Sequence, residues 1–273
     1  MNARGLMARS AVYVTAVLLA ATTIFIAAEK ARTTTTESSR AHKPASSRPA
    51  LGANSLIAGS FGKLPLAFEA NQGQTDPQVR YISRGQGYQL FLTPAEAVLE
   101  LRQPKPANAQ LNVRGDIKAT IAALKSREAS VLRLQFAGAN AAPKVLGIDQ
   151  LPGKTNYFVG NNPSKWHTGV PNYSRVSYHE IYPGVDLAFY GNGQRLEYDF
   201  TVAPGADPKE IALEVQGARN LRVDDAGNLV LAVSQGAIQF EKPLIYQNVN
   251  GQRKFVAGNY NIASNQRVGF TAS

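Results

Sequence analysis

The sequence predicts a mainly β protein: a β-sandwich-like domain of many short antiparallel strands, preceded by an N-terminal hydrophobic helix. Three observations predict it. From about Phe61 onward, short segments of alternating apolar and polar residues recur, the period of a half-buried strand. Turn signals separate them: Asn192-Gly193, Asn250-Gly251 and Asp225-Ala226-Gly227. Asn and Gly tolerate the positive φ that tight hairpin turns require. Ahead of all this, Ser10–Ala28 is an uncharged, mostly apolar run.

That run opens the chain and comes after Arg4 and Arg9. As a helix it would be about 28 Å long, close to the hydrocarbon thickness of a bilayer. A basic start, an apolar centre and the small pair Ala27-Ala28 also describe a signal peptide. Residues 1–28 therefore read as a signal peptide or an N-terminal membrane anchor. Either reading exports the rest of the chain and makes the inner membrane the first partner. Residues 29–60 come next as a basic, disordered linker rich in Thr, Ser and Pro, with almost nothing that can enter a core.

Charge and composition narrow the functions. The formal net charge is +10. Residues 1–50 hold seven Lys/Arg against two Asp/Glu, so half of the excess sits there. The remainder is spread without a dense basic stripe, which argues against nucleic acid. The chain has no cysteine. Disulfides, thiolate metal sites, a Cys nucleophile and a lipoprotein anchor are thereby excluded. An exported domain of this composition is stabilised by its core.

Residues 61–273 form the β-rich exported domain. Expected strands run from Leu66–Glu69, Val79–Ser83, Tyr88–Leu92, Ala97–Leu101 and Val131–Phe136 through to Lys254–Ile262 and Val268–Phe270. One stretch breaks the pattern. Ile117, Ile121 and Leu124 stand at helical spacing after a Pro- and Ala-rich segment. Residues 103–130 read as an insertion carrying a short helix.

Four sets of segments carry a resemblance. The first is Leu64-Pro-Leu-Ala-Phe-Glu-Ala-Asn-Gln-Gly-Gln74 with Tyr88-Gln-Leu-Phe-Leu-Thr-Pro94. The second is Leu151-Pro-Gly-Lys-Thr-Asn-Tyr-Phe-Val-Gly-Asn161 with Trp166-His-Thr-Gly-Val-Pro171. The third is Ile181-Tyr-Pro-Gly-Val-Asp-Leu-Ala-Phe-Tyr190 with Leu196-Glu-Tyr-Asp-Phe200 and Ala203-Pro-Gly-Ala-Asp-Pro208. The fourth is Lys242-Pro-Leu-Ile-Tyr-Gln247. Over residues 61–271 the chain resembles an uncharacterised domain of bacterial cell-surface proteins that stands ahead of SBBP-type β-propeller repeats. The resemblance implies a surface location and a β architecture, and supplies no catalytic residues. That domain continues past the equivalent of Val268-Gly-Phe270 into a further strand, so on this resemblance the C-terminus reads as truncated.

Two constellations could carry chemistry. If Asn192-Gly193 form the hairpin turn, Phe189 faces Leu196 and Leu187 faces Tyr198. On the other face Ala188 then opposes Glu197, and Asp186 opposes Asp199. Opposed like charges need compensation. Asp186, Glu197 and Asp199 thus form a candidate acidic cluster with three readings: an internal salt-bridge network, a Ca²⁺-type oxygen site, or a glycosidase-type carboxylate pair. A one-residue change of register dissolves the pair. The second constellation is aromatic. Trp166, Tyr173 and Tyr182 fall in expected loops beside Asn161-Asn162, Asn172 and Pro183-Gly184. There they suit stacking on sugar rings or packing on a partner protein, and equally packing on the domain's own sheet.

His167 and His179 have no Gly-x-Ser-x-Gly beside them and too few companions for zinc. Asp224–Asn228 lacks the spacing of a calcium loop and reads as a turn. No phosphate-binding glycine loop is present, so no organic cofactor is expected, and Ca²⁺ stays open only through the acidic cluster. The expectation is a non-catalytic exported structural, adhesion or ligand-recognition module that meets polysaccharide or another surface protein. The alternative is an exported polysaccharide hydrolase using a carboxylate pair.

Overall fold

The structure, a computed structural model, describes residues 12–19, 65–101 and 130–272, leaving out 86, 194, 235, 251, 264 and 265. The insertion 103–130 and the linker 29–60 therefore lie outside it, save Ser130. The described chain is built of strands, as the alternating pattern demands. Its first layer begins with β2 (Phe68–Ala70), β3 (Tyr81–Gly85), β4 (Tyr88–Leu92), β5 (Glu96–Leu101) and β6 (Ser130–Phe136). These pair in sequence order, antiparallel, as a meander. The layer continues from β6 to β11 (Leu213–Gln216), β18 (Arg267–Ala272) and β17 (Gly258–Ala263). The burial of β6 alternates strictly, with Leu132, Leu134 and Phe136 inside and Val131 and Arg133 outside.

Two long strands, β7 (Lys144–Tyr157) and β8 (His167–Tyr182), form a hairpin that links the layers. The N-terminal half of β8 meets β2 at Asn172 and Tyr173. Its C-terminal half meets β9 (Val185–Asn192) from Arg175 onward. The second layer then runs through β10 (Arg195–Val202) to β1 (Val12–Leu19). The far edge of β1 meets two strands in turn, β15 (Leu244–Val249) and β14 (Gly236–Phe240). Outside these lie β16 (Gln252–Val256) on β15, and β13 (Leu229–Val233) with β12 (Asn220–Val223) on β14.

One core lies between the layers. A run of aromatic rings crosses it: Phe136 meets Tyr178 at 5.6 Å, Tyr178 meets Phe189 at 6.0 Å and Phe200 meets Phe270 at 5.9 Å between ring centroids. Phe68, Tyr178, Phe200 and Phe240 are buried. Buried rings of this size dominate core energetics, and their edge-to-face contacts add to the area they remove from water.

The structure corrects three expectations. The hydrophobic helix is not shown: Val12–Leu19, the described part of that run, forms a strand. Val12, Tyr13, Val14, Thr15 and Val17 are β-branched or aromatic, types that suit a pleated surface. Among the described residues no helix is long and apolar enough to cross a membrane. Second, the segment holding Tyr173 and Tyr182 is strand, not loop; Gly169, Pro171 and Asn172 interrupt its apolar alternation and disguise it. Third, the Lys254–Ile262 segment divides at Ala257 into β16 and β17.

Candidate functional site

The β9–β10 hairpin decides the fate of the acidic cluster. Asn192 pairs with Arg195, so the tight turn lies one residue later than Asn192-Gly193. Gly193 takes a φ of 62°, the left-handed region that glycine enters freely. Its carbonyl accepts the Leu66 N–H at 3.1 Å, a tertiary bond that no local turn rule foresees. By contrast Val249 pairs with Gln252, which leaves Asn250-Gly251 between the strands as expected.

Moving the turn by one residue moves the register by two, so the faces survive and the partners change. Phe189 stands opposite Tyr198 and Leu187 opposite Phe200, still on the core face. Asp186 stands opposite Thr201 and Asp199 opposite Ala188. The opposed Asp186–Asp199 pair is not formed.

Each acid instead has local work. Asp186 Oδ1 accepts the N–H of Glu180 at 2.8 Å, and its Oδ2 lies 3.5 Å from His179 Nδ1. Glu180 has a φ of 50° at the irregularity between Tyr178 and Tyr182, so Asp186 satisfies a backbone donor that the bulge removes from the ladder. Glu197 is buried and accepts from Asn192 Nδ2 at 2.9 Å. Asp199 accepts from the Tyr190 hydroxyl at 2.9 Å, and the Arg175 guanidinium lies 4.9 Å over the Tyr190 ring. Burial, and next the Asp199 charge, push the Tyr190 phenol far above its ordinary value. Glu197 and Asp199 thus bond along the face of β9 and β10 turned away from the aromatic core, and Asp186 bonds apart from them at the bulge of β8. Among the described residues no group of three or more His, Asp or Glu side chains is placed to hold one ion.

The three candidate aromatics do not converge either. The Tyr182 side chain is in the core, and its hydroxyl donates to the Ala212 carbonyl at 2.8 Å. Tyr173 lies against Gly147, where an added Cβ would stand 2.5 Å from the ring, and meets Tyr81 edge-on at 5.8 Å. Of the three, Trp166 is the one left exposed. It stands at the end of the β7–β8 hairpin, 37% exposed, edge-to-face with Phe158 at 5.1 Å. Phe158 and its neighbour Val159 are 62% and 69% exposed.

The tip is built to hold its shape. Asn162 Oδ1 accepts the Ser164 N–H at 3.0 Å and starts a single 3₁₀ turn, Pro163–Lys165. The Trp166 indole N–H donates to the Gly160 carbonyl at 3.1 Å. Beneath the tip, where the hairpin ladder ends at Tyr157 and His167, stands a group that sequence reasoning misses. The Glu69 carboxylate pairs with the Arg84 guanidinium and accepts the Tyr157 hydroxyl, and Arg84 lies 5.3 Å over the Tyr157 ring. Burial, then the Glu69 charge, push the Tyr157 phenol up to about 12. A signal for it is present: Glu69 and Tyr157 lie in two of the resemblance segments.

The loop after Glu69 is self-satisfied. Asn71 Nδ2 donates to the Asp76 and Val79 carbonyls at 2.8 and 2.9 Å, and Gln74 Nε2 donates to the Ala70 carbonyl at 2.7 Å. A methyl group on Gly73 would meet His167 at 3.0 Å, so this loop and the start of β8 lie together. Asn71 and Gln74 thus shape the loop that flanks the foot of the tip. Asp224 likewise caps its turn, accepting the Asn228 N–H at 2.9 Å and the Ala226 N–H at 3.0 Å. Chiefly the bond from Asn228 lowers its carboxyl from the ordinary value.

The arrangement is therefore an antiparallel β-sandwich that raises a hydrogen-bonded aromatic tip on a long hairpin. Residues 68–273 match the family described as domain of unknown function DUF7948, and the chain belongs to that family. No curated protein and no solved structure matches the chain.

Proposed function

We propose that the chain is a non-catalytic recognition module, exported to the bacterial cell surface, that meets its partner through the β7–β8 hairpin tip. The observation that carries this reading is the exposed patch of Phe158, Val159 and Trp166 on a tip held by its own hydrogen bonds. Exposed apolar side chains grouped in this way mark contact surfaces, and a fixed indole presents area at low entropic cost. The basic start and apolar run before Glu29 support export. The resemblance to the domain that stands ahead of SBBP-type repeats supports a place in a cell-surface protein.

A thermal melt tests the reading. The full chain is melted with a panel of bacterial and environmental polysaccharides, with and without Ca²⁺. A ligand that binds only the folded state raises the midpoint. The expected result is a shift with one sugar class that Trp166→Ala abolishes. A shift that Trp166→Ala leaves intact removes the tip from the reading, and recovery of the protein from the cytoplasmic fraction removes export.

A further inference from the structure

β1 occupies a slot in the second layer. On one side Val12–Leu18 pair with Val202–Leu196 of β10. On the other, Val12–Thr15 pair with Gln247–Leu244 of β15, and Leu18 and Leu19 pair with Phe240 and Gln239 of β14. Both flanking walls thus spend backbone hydrogen bonds on this one strand. Its register is also specific. Val14 stands opposite Phe200 and Ile245, Ala16 opposite Tyr198 and Leu18 opposite Leu196 and Phe240, all buried residues. Tyr13 stands on the other face, opposite Thr201 and Tyr246, and its ring stacks on Tyr246 at 5.0 Å with planes 8° apart.

The same residues lie in the middle of the export segment. Eight residues cannot span a bilayer as helix and complete a sheet as strand at once. We infer that the slot between β10 and β14–β15 is an acceptor for an extended strand donated by a different protein, and that Val12–Leu19 fills it only while the export segment is not in the membrane. The inference rests on the exported reading above. Export commits this segment to the same fate in every copy, so another copy cannot supply it. An open slot presents two rows of unpaired N–H and C=O groups, the arrangement that strand addition satisfies. The register specifies the donor. It runs antiparallel to both walls, with apolar residues at the positions of Val12, Val14 and Leu18. It has a small residue at that of Ala16, opposite Tyr198, and an aromatic ring at that of Tyr13, against Tyr246.

The chain has no cysteine of its own, so a lock can be introduced cleanly. The full chain carrying Tyr13→Cys and Thr201→Cys, which are register partners, is purified in detergent and divided into reduced and oxidised samples. The probe is a fluorescent peptide of residues 12–19 with lysines added at both ends. A peptide with proline at the Ala16 position is the control. The reduced protein is expected to bind the probe saturably and to ignore the control. The oxidised protein binds about tenfold more weakly or not at all, because its tethered strand no longer leaves. Equal binding to both samples, binding to neither, or no disulfide at all would overturn the inference. A disulfide joining two chains would overturn it too, assigning the slot to a second copy. Because the assay uses purified protein, it can fail while export stands, and fractionation can sink export while the slot still binds.

Discussion

Glu69 shows how much rests on single side chains in this domain. Its carboxylate is nearly enclosed and holds two partners from two other strands, Arg84 and Tyr157. Replacing it with glutamine keeps the shape and removes the charge. Arg84 stays partly in solvent, so the loss is that of weakened hydrogen bonds rather than a stranded ion. Glu69→Gln should cost about 1–2 kcal/mol in urea unfolding, and a cost near zero would show that the group holds nothing together. Trp166 gives the opposite prediction. It sits at a tip far from the core, so Trp166→Ala should leave the unfolding midpoint almost unchanged while abolishing ligand binding.

This scale is also where the sequence is least legible. Trp166 stands in the exposed connection that its neighbours imply. Tyr173 and Tyr182 mislead because Gly169, Pro171 and Asn172 interrupt an alternation that the sheet nevertheless sustains. The acids group only under a turn rule that a tertiary bond overrides. Asn192-Gly193 and Asn250-Gly251 are the same dipeptide, yet only the second sits in the expected turn. At the first, Leu66 holds the Gly193 carbonyl and Glu197 holds the Asn192 side chain. Neither contact is readable from the dipeptide. Glu69 and Arg84 escape notice for a related reason: they lie 15 residues apart, on two strands that only the fold brings side by side.

At the scale of elements, strand identity is more legible, because burial enforces the alternation that the eye can find. Tyr88–Leu92 and Leu229–Val233 carry the bounds that their patterns suggest. Connections between strands are tighter than the sequence implies. Gly217 follows β11 with a φ of 89°, and a Cβ there would stand 2.0 Å from the Val131 carbonyl oxygen. Both the backbone conformation and the space exclude a side chain. Gly217→Ala should therefore lower unfolding free energy by about 3 kcal/mol, from strain plus displacement of β6. A denaturant melt measures it, and a loss under about 0.5 kcal/mol would mean that β6 and β11 separate without cost.

The described residues share one core, and its tyrosines make that core sensitive to base. Burial pushes the Tyr182 phenol up to about 12, and burial with Glu69 does the same to Tyr157, against an ordinary value of 10.0. Burial drives Tyr88, Tyr178, Tyr198 and Tyr260 in the same direction. The unfolded chain ionises first, near 10, while the folded chain keeps its protons. The stability these groups contribute is therefore complete below pH 10 and is lost as pH rises from there towards about 12. Urea midpoints should hold steady from pH 7 to 9 and then fall steeply. Tyr182→Phe should flatten the fall while losing about 1 kcal/mol at neutral pH with the bond to Ala212. A midpoint indifferent to pH up to 11 would contradict the buried phenols.

Leu101 and Ser130 are direct neighbours across the β5–β6 ladder, although residues 102–129 separate them in sequence. Whatever joins them has only to leave the sheet and come back to an adjacent position. The same junction is a splice point for protein engineering. A fluorescent or enzymatic reporter with closely spaced termini could be carried there, reporting on where the domain travels while the hairpin tip stays free for its ligand.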